Sequence, residues 1–337
     1  MRFTRTISSV PVVKECTWIR NNPVGFIAAA TFEDLTRIEF DVAVLAHAYP
    51  AVIANLYGSK SSLTPSSVPI LMAPFVSKES GELCEKLLVG FMDMSGNALI
   101  RARWMYIREY GNPNLFIQEQ KSAKNIFNPT SRVSSLILRE LLRDMTRPWK
   151  LSLLATHLGC SIGQVSKVKN FLCDQLWAEM SNEGLRIIDA EAIMDAWGEE
   201  YGLHVPRLER MDCYTLLPIA EFEAHIQHII DKNGYTACFT GLSGGVRYTP
   251  VVRYNTVDLL VHERDAEALM TSSGCKQVDS GANVHMWVVE GTEWFHDERI
   301  IRSERVASPV QVVLDCMNIK GRGEEMARAV FEKEIAR

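Results

Sequence analysis

Apolar residues along this 337-residue chain recur in two rhythms, and the places where the rhythm changes divide it into three segments. In the first, to about residue 127, Glu39 to Ala46 reads as a strand with a largely apolar run, VPILMAPF as a buried strand, and Ser77 to Leu88 as a helix. GFMDMSGNALIRARWMYI follows as two or three short strands. Within this segment KSSLTPSSVP, Lys60 to Pro69, reads as an exposed loop, because Ser and Pro favour turns and solvated extended chain. The second segment opens at Asn128-Pro129-Thr130 and is helical, starting with the amphipathic SRVSSLILRELLRDM. The third begins near Val205-Pro206. There Ile219, Phe222, Ile226, Ile229 and Ile230 mark a helix over Pro218 to Asn233, and TVDLLVH and VHMWVVE read as strands. Helices over Pro309 to Met317 and Gly323 to Ile335 close the chain. The expected architecture is a multidomain α/β and α+β protein with domains 1–127, 128–204 and 205–337.

The clearest chemistry lies in the middle segment. Leu151 to Asn170, LSLLATHLGCSIGQVSKVKN, has what two helices crossing at a tight turn require. Ala155 is small where the second helix approaches the first, Gly159 suits a positive φ at the turn, and Val165 plugs the angle. Leu154, Leu158, Ile162 and Val168 fill the shared core. Ser161 is a good N-cap, and Gln164 three residues on completes a capping box, which fixes where the second helix starts. The residues then facing outward are short, polar or basic: Gly163, Gln164, Ser166, Lys167, Lys169 and Asn170. Gln and Asn pair with adenine edges and Lys with guanine or phosphate, as a helix lying in the major groove needs. Downstream, LWAEM-SNEG-LRIID reads as two strands around a turn, the wing of a winged helix-turn-helix. The candidate DNA-binding residues are Ser161, Gln164, Ser166, Lys167, Lys169, Asn170 and Lys150.

Charge sharpens this. The chain as a whole is acidic, at −5, so nucleic acid would be met by a local patch. From Ser131 to Met180 there are seven basic residues (Arg132, Arg139, Arg143, Arg147, Lys150, Lys167, Lys169) against four acidic ones (Glu140, Asp144, Asp174, Glu179). The eight cysteines are scattered with no C-x-x-C pair or His partner at zinc spacing, so neither a disulfide framework nor a metal site is expected. The N-terminus lacks an apolar core of signal-peptide length, and no window approaches 18 uninterrupted apolar residues. The expectation is a cytoplasmic protein without membrane contact.

The chain resembles bacterial AbiE-type antitoxins of the type IV toxin-antitoxin class. The resemblance rests on SIGQVSKVKNFL, on TACFTGLSGGVRY followed by VVRYNTVDLLV, and on VDSGANV and ASPVQVVLDCMNIKGRGEEMARAV, and it covers most of residues 130 to 337. It implies binding to the promoter of the protein's own operon and neutralisation of a nucleotidyltransferase-type toxin, without catalysis. A middle position for the winged helix departs from shorter members that begin with it. The expected partners are duplex operator DNA, such a toxin and a second copy of the chain. No cofactor, metal or catalytic residue is expected.

The first segment is expected to have a restriction-endonuclease-like fold. That chemistry needs an acid-x-Lys pair on a strand to hold magnesium and polarise water. On the strand read as Phe40 to His47, Leu45 and His47 stand at those places, so the domain reads as catalytically dead. Asp41 and His47 read as capping or surface groups, and Asp93 as a turn residue. In the last segment, Gly241-Leu242-Ser243-Gly244-Gly245 followed by Asp258 is similar to a nucleotidyltransferase pattern, but Leu260 replaces the second acid. The glycine run reads as a tight turn before it reads as a phosphate cradle. His225 and His228 read as a half-exposed helix face, and Trp287, Trp294, Phe295 and His296 as core-strand aromatics. A DNA regulator is therefore the leading reading, with a nuclease-fold enzyme or a protein-interaction module as rivals.

Overall fold

A computed structural model describes residues 2–58, 67–115, 126–128, 131–204 and 209–336. The chain forms two compact units, one of residues 1–124 with 174–176 and one built from 125–173 and 177–337.

The first unit is a seven-stranded sheet whose strands lie in chain order. A short helix α1 (Arg2–Ser8) precedes the antiparallel strands β1 (Val13–Asn22), β2 (Gly25–Phe32) and β3 (Arg37–Val44). Two parallel crossovers follow, through α2 (Pro50–Tyr57) to β4 (Ser67–Ala73) and through α3 (Lys78–Lys86) to β5 (Gly90–Asp93). Antiparallel β6 (Ala98–Ala102) and β7 (Met105–Glu109) complete it. Because strand side chains alternate, both faces of the sheet can be apolar and each needs its own cover. Phe40, Val42, Ile70 and Ile100 pack with Phe3 and Ile7 of α1 on one face. Ala43, Leu71, Phe91 and Leu99 pack with Ile53, Tyr57 and Cys84 of α2 and α3 on the other.

Most of the expected loop Lys60 to Pro69 lies outside the described residues; its last part, Ser67 to Pro69, begins β4. The strand expected to run to His47 ends at Val44, which leaves Leu45 and His47 beyond it. His47 is exposed and stacks on Tyr49, while Asp41 accepts a 2.6 Å hydrogen bond from the Asn22 amide. Asp93 is buried and accepts from the backbone of Val76, Gly96 and Asn97 and from the Asn97 side chain. It is a turn-forming carboxylate, as its place at a strand end suggests.

In the second unit, α4 (Arg132–Arg143), α5 (Leu151–Leu158) and α6 (Ile162–Asp174) lead to the hairpin β8 (Ala178–Met180) and β9 (Leu185–Ile187), then to α7 (Ala190–His204). Gly159 at the α5–α6 turn has φ 64°, the left-handed conformation for which glycine carries no Cβ penalty. Trp149 pairs through its backbone with Leu185 and adds a bridge on the other edge of β9. A mixed seven-stranded sheet follows, in the order β13-β10-β14-β12-β11-β16-β15. Its strands are β10 (Glu209–Tyr214), β11 (Ala237–Phe239), β12 (Val257–His262), β13 (Lys276–Gln277), β14 (Val284–Val289), β15 (Arg299–Ile301) and β16 (Glu304–Val306). Helices α8 (Ile219–Asn233) and α10 (Glu263–Ser273) contribute to the core on one face. On the other, α9 (Gly241–Tyr248), α11 (Pro309–Met317) and α12 (Arg322–Glu334) pack together with the helical module.

Segments 128–204 and 205–337 thus share one hydrophobic core. Ile137, Leu141, Trp197 and Tyr201 of the helical module join Leu260, Val310, Leu314 and Met326 in a single cluster. The 241–245 run is the first part of α9 and not a free turn. Its glycines permit close packing: a Cβ at Gly244 would lie 2.9 Å from the Phe239 carbonyl, and one at Gly245 2.5 Å from Met326.

Candidate functional site

The helical module presents one polar face to solvent. Val165, Val168 and Leu172 turn inward on α6. Gly163, Ser166, Lys167 and Asn170, three or four residues apart, share the opposite side. The capping box forms as its spacing requires. Ser161 Oγ accepts from the Gln164 backbone N–H at 3.2 Å, and Gln164 Oε1 accepts from the Ser161 backbone N–H and hydroxyl, both at 2.9 Å.

This geometry sorts the seven expected contact residues. Lys167 and Asn170 are exposed on the outward face, with Ser166 partly covered beside them. Ser161 and Gln164 are exposed too, yet both are spent on the cap. Bidentate pairing to adenine would need the Gln164 carbonyl oxygen that already holds Ser161. Lys169 is half-buried, next to the inward stripe rather than opposite it. Lys150, at the N-cap position of α5, hydrogen-bonds the Asn182 carbonyl at the hairpin tip; its ammonium keeps further donors for a phosphate.

The basic island also divides. Arg132 reaches Glu290 at 2.9 Å, Arg143 reaches Glu140 and Asp297, and Arg139 is buried. These three face the C-terminal sheet. Arg147, stacked 3.8 Å over the Trp149 ring, and Lys150 and Lys167 remain exposed on the outer side, with Lys169 half-buried.

A second polar assembly lies inside the same unit. On the face of the sheet toward α11, two rows cross β10, β14 and β12: Asp212, His285 and Asp258, then Arg210, Trp287 and Leu260. With Tyr201, Gly241, Leu242, Thr256, Asp315, Asn318 and Ile319, residues of these rows line a cleft of about 460 Å³. Burial pushes the Asp258 carboxyl up to about 6, although His285 and the Trp287 indole N–H pull the other way. A Cβ on Gly241, which has φ 55°, would stand 3.1–3.2 Å from the Asp258 side chain, so only glycine lets the start of α9 sit this close.

Beneath the cleft, Asp315 accepts from Tyr201 Oη at 2.5 Å, from Gln311 Nε2 at 2.8 Å and from the Thr240 hydroxyl. Gln311 Oε1 in turn accepts from Arg139 at 2.6 Å. The Arg139 guanidinium also donates to Ser135 and Ser308 and lies between the Trp197 and Trp294 rings; burial lowers its pKa to about 10. A chain of hydrogen bonds thus runs from α4 to the cleft. Sequence reasoning singled out neither Arg139 nor Tyr201 for this. Their signal was a Gln and an Asp four apart, Gln311 and Asp315, within the otherwise apolar PVQVVLDC.

The other flagged groups have structural partners or open surroundings. Trp294 and Phe295 are buried in a 3-10 turn and not in a strand, and His296 pairs with the buried Glu140 at 2.9 Å. His225 and His228 are both exposed. Among the described residues, no three His, Cys, Asp or Glu side chains converge as metal ligands. In the GRGEE motif, Gly321 at φ 84° starts α12, and a Cβ on Gly323 would lie 2.2 Å from the Cys316 carbonyl, so the motif lets α11 and α12 meet closely. Arg322 donates to the Arg253 carbonyl.

With this geometry in place, comparison with known families is informative. Residues 186–336 match the family model of a transcriptional regulator, the AbiEi antitoxin of a type IV toxin-antitoxin system. The match spans the last part of the hairpin, α7 and the whole C-terminal sheet with its cleft, a little under half of the chain. No curated protein and no solved structure matches the chain. The restriction-endonuclease-like reading of the first segment finds no support: the family match does not reach it, and Leu45 and His47 do not stand on the strand that the reading required. Among the described residues, no helix is long and apolar enough to cross a membrane.

Proposed function

We propose that this protein is a sequence-specific DNA-binding transcriptional regulator that represses its own operon, in which α4 to α6 and the β8–β9 hairpin act as a winged helix-turn-helix. The observation that carries this reading is the outward face of α6. A capping box fixes its start, and Lys167 and Asn170 stand exposed on it while Val165, Val168 and Leu172 on the opposite side are buried. The helix enters the major groove; Asn170 pairs with a base edge, Lys167 meets a base or phosphate, and Lys150 and Arg147 flank it toward the backbone. Two copies binding as a homodimer would set two such helices about 34–36 Å apart on a symmetric site. The similarity of residues 186–336 to AbiEi antitoxins supports the regulatory role and a toxin partner; in this reading the C-terminal sheet neutralises that toxin, one of nucleotidyltransferase type. The chain acts without catalysis: buried Leu260 stands where a second metal-binding acid of a nucleotidyltransferase-like sheet would be.

Fluorescence anisotropy with duplex DNA from upstream of the protein's own gene tests this. The Lys167→Ala/Asn170→Ala double variant, which leaves the capping box intact, should bind about 10- to 100-fold more weakly, on the scale of about 1–3 kcal/mol per base contact. Wild-type affinity in that variant would remove α6 from the interface.

A further inference from the structure

The cleft beside Asp258 has walls that differ in kind. Its volume of about 460 Å³ falls within the range of roughly 300–1,000 Å³ typical of small-molecule sites. Leu242 and Ile319 give it apolar wall, the partly exposed Trp287 an aromatic one, and Asp258 a carboxylate that is only 7% exposed. Arg210 stands exposed among the lining residues, its guanidinium 5.2 Å from the Trp287 ring centre and tied to Asp212 at 2.8 Å. A flat heteroaromatic group satisfies the apolar and aromatic walls. The Asp258 carboxylate beside it, which already takes the Trp287 indole N–H, keeps lone pairs for a group with two adjacent N–H donors, one to each oxygen. Among the nucleobases, guanine presents such a pair at N1–H and the 2-amino group. Adenine sets an acceptor nitrogen against the carboxylate.

We propose that this cleft binds a guanine nucleotide, with the base edge on Asp258, the ring against Trp287 and the phosphate toward Arg210, and that its occupancy changes the protein's affinity for DNA. The second part follows from what lies under the cleft. Tyr201 of α7 and Asp315 line it, and Gln311 connects both to Arg139 of α4. A ligand that shifts Tyr201 or Asp315 therefore disturbs hydrogen bonds that reach α4 of the DNA-binding module and α7, the helix that follows its hairpin. Ligand binding needs only the cleft, whereas its effect on DNA rests on the proposed role of α6.

Isothermal titration calorimetry of the full chain with guanosine monophosphate tests the site, with inosine monophosphate, adenosine monophosphate and guanosine as comparisons. Guanosine monophosphate should bind. Inosine monophosphate, lacking the 2-amino group, should bind more weakly, and adenosine monophosphate about tenfold or more below the guanine ligand, the loss expected when a charged acceptor is left unpaired. Asp258→Asn should weaken guanosine monophosphate by a similar factor, with thermal unfolding confirming that the variant is folded. Arg210→Ala should reduce its affinity to that of guanosine. The Arg139→Met/Gln311→Met double variant replaces the connecting pair with apolar groups of similar length. It should keep nucleotide binding while the nucleotide no longer shifts affinity for promoter DNA. No binding of guanosine monophosphate at millimolar concentration, equal binding of the adenine and guanine nucleotides, or an unchanged affinity in Asp258→Asn would overturn the site. Nucleotide binding that meets these expectations, in a protein that binds no promoter DNA with or without it, would leave the cleft standing and remove the role of α6.

Discussion

The outer face of α6 and the floor of the cleft use the same kinds of side chain, amides, hydroxyls and a few ions, in opposite environments. On α6 they are solvated, and each substitution forfeits little beyond its own contact. At the cleft floor Arg139, Gln311 and Tyr201 are at most 3% exposed, so removing one partner leaves others desolvated and unpaired. The first arrangement suits a surface that meets a partner. The second holds two parts of one unit in a fixed relation, at a place where a ligand could alter it.

The largest test of this contrast is Arg139→Ala. It strips Gln311 of its donor and empties the space between Trp197 and Trp294, and should destabilise the second unit by about 3–5 kcal/mol in thermal or urea unfolding. Arg139→Met/Gln311→Met should cost less, because it removes both members of the Arg139–Gln311 pair and keeps the volume, the remaining loss being the Gln311 amide donor to Asp315 and Tyr201. Equal losses in the two variants would mean that the network contributes no more than its packing.

Asp258→Asn moves stability in the other direction. With the folded carboxyl raised to about 6 from 3.8, the protonated form is favoured in the native state. The stability linked to that proton is full below about 3.8 and is lost as pH rises through about 6. The amide avoids the loss, so the variant should be more stable than wild type at pH 8, by up to about 3 kcal/mol on the scale of 1.36 per pKa unit, and should gain nothing near pH 3.5. A gain that does not change with pH would place its origin elsewhere.

On the α6 side the strongest effect belongs to the hairpin. Gly184 has φ 144°, and a Cβ there would lie 2.6 Å from the Trp149 backbone. Gly184→Ala should therefore break the Trp149–Leu185 bridge and cost about 2–3 kcal/mol, against about 1 for Gly159→Ala, whose left-handed turn has open space around it. Of similar size, Gln164→Ala should cost about 1 kcal/mol through the capping box, and Gln164→Glu almost nothing, since a carboxylate restores the acceptor. If both variants unfold alike, the cap is not what Gln164 supplies.

How far the sequence could be read follows the same contrast. Periodicity placed α8, β12, β14, α11 and α12 to within a residue or two, and S-x-x-Q placed the start of α6, because these features are local. The inward or outward sense of Lys169 was missed, since it depends on where the stripe of Val165, Val168 and Leu172 points. Arg139 counted as part of a basic patch. Its burial is imposed by Gln311 and Ser308, about 170 residues further along, and no window of sequence brings those together. The cleft was invisible for that reason: Asp258 was legible as an isolated acid, but Tyr201, Arg210, Trp287 and Asp315 meet it only in the folded sheet. In the first unit, misplacing the end of β3 by three residues was enough to put Leu45 and His47 on a strand they do not occupy.

If α6 meets DNA, promoter binding should depend on salt through its exposed lysine. The slope of log K against log salt should be steep and negative for the wild type. Lys167→Ala should reduce its magnitude by about one if that ammonium neutralises a phosphate, or leave the slope and lower affinity on the preferred sequence alone if it reads a base. An unchanged slope together with unchanged affinity for the promoter would contradict the account.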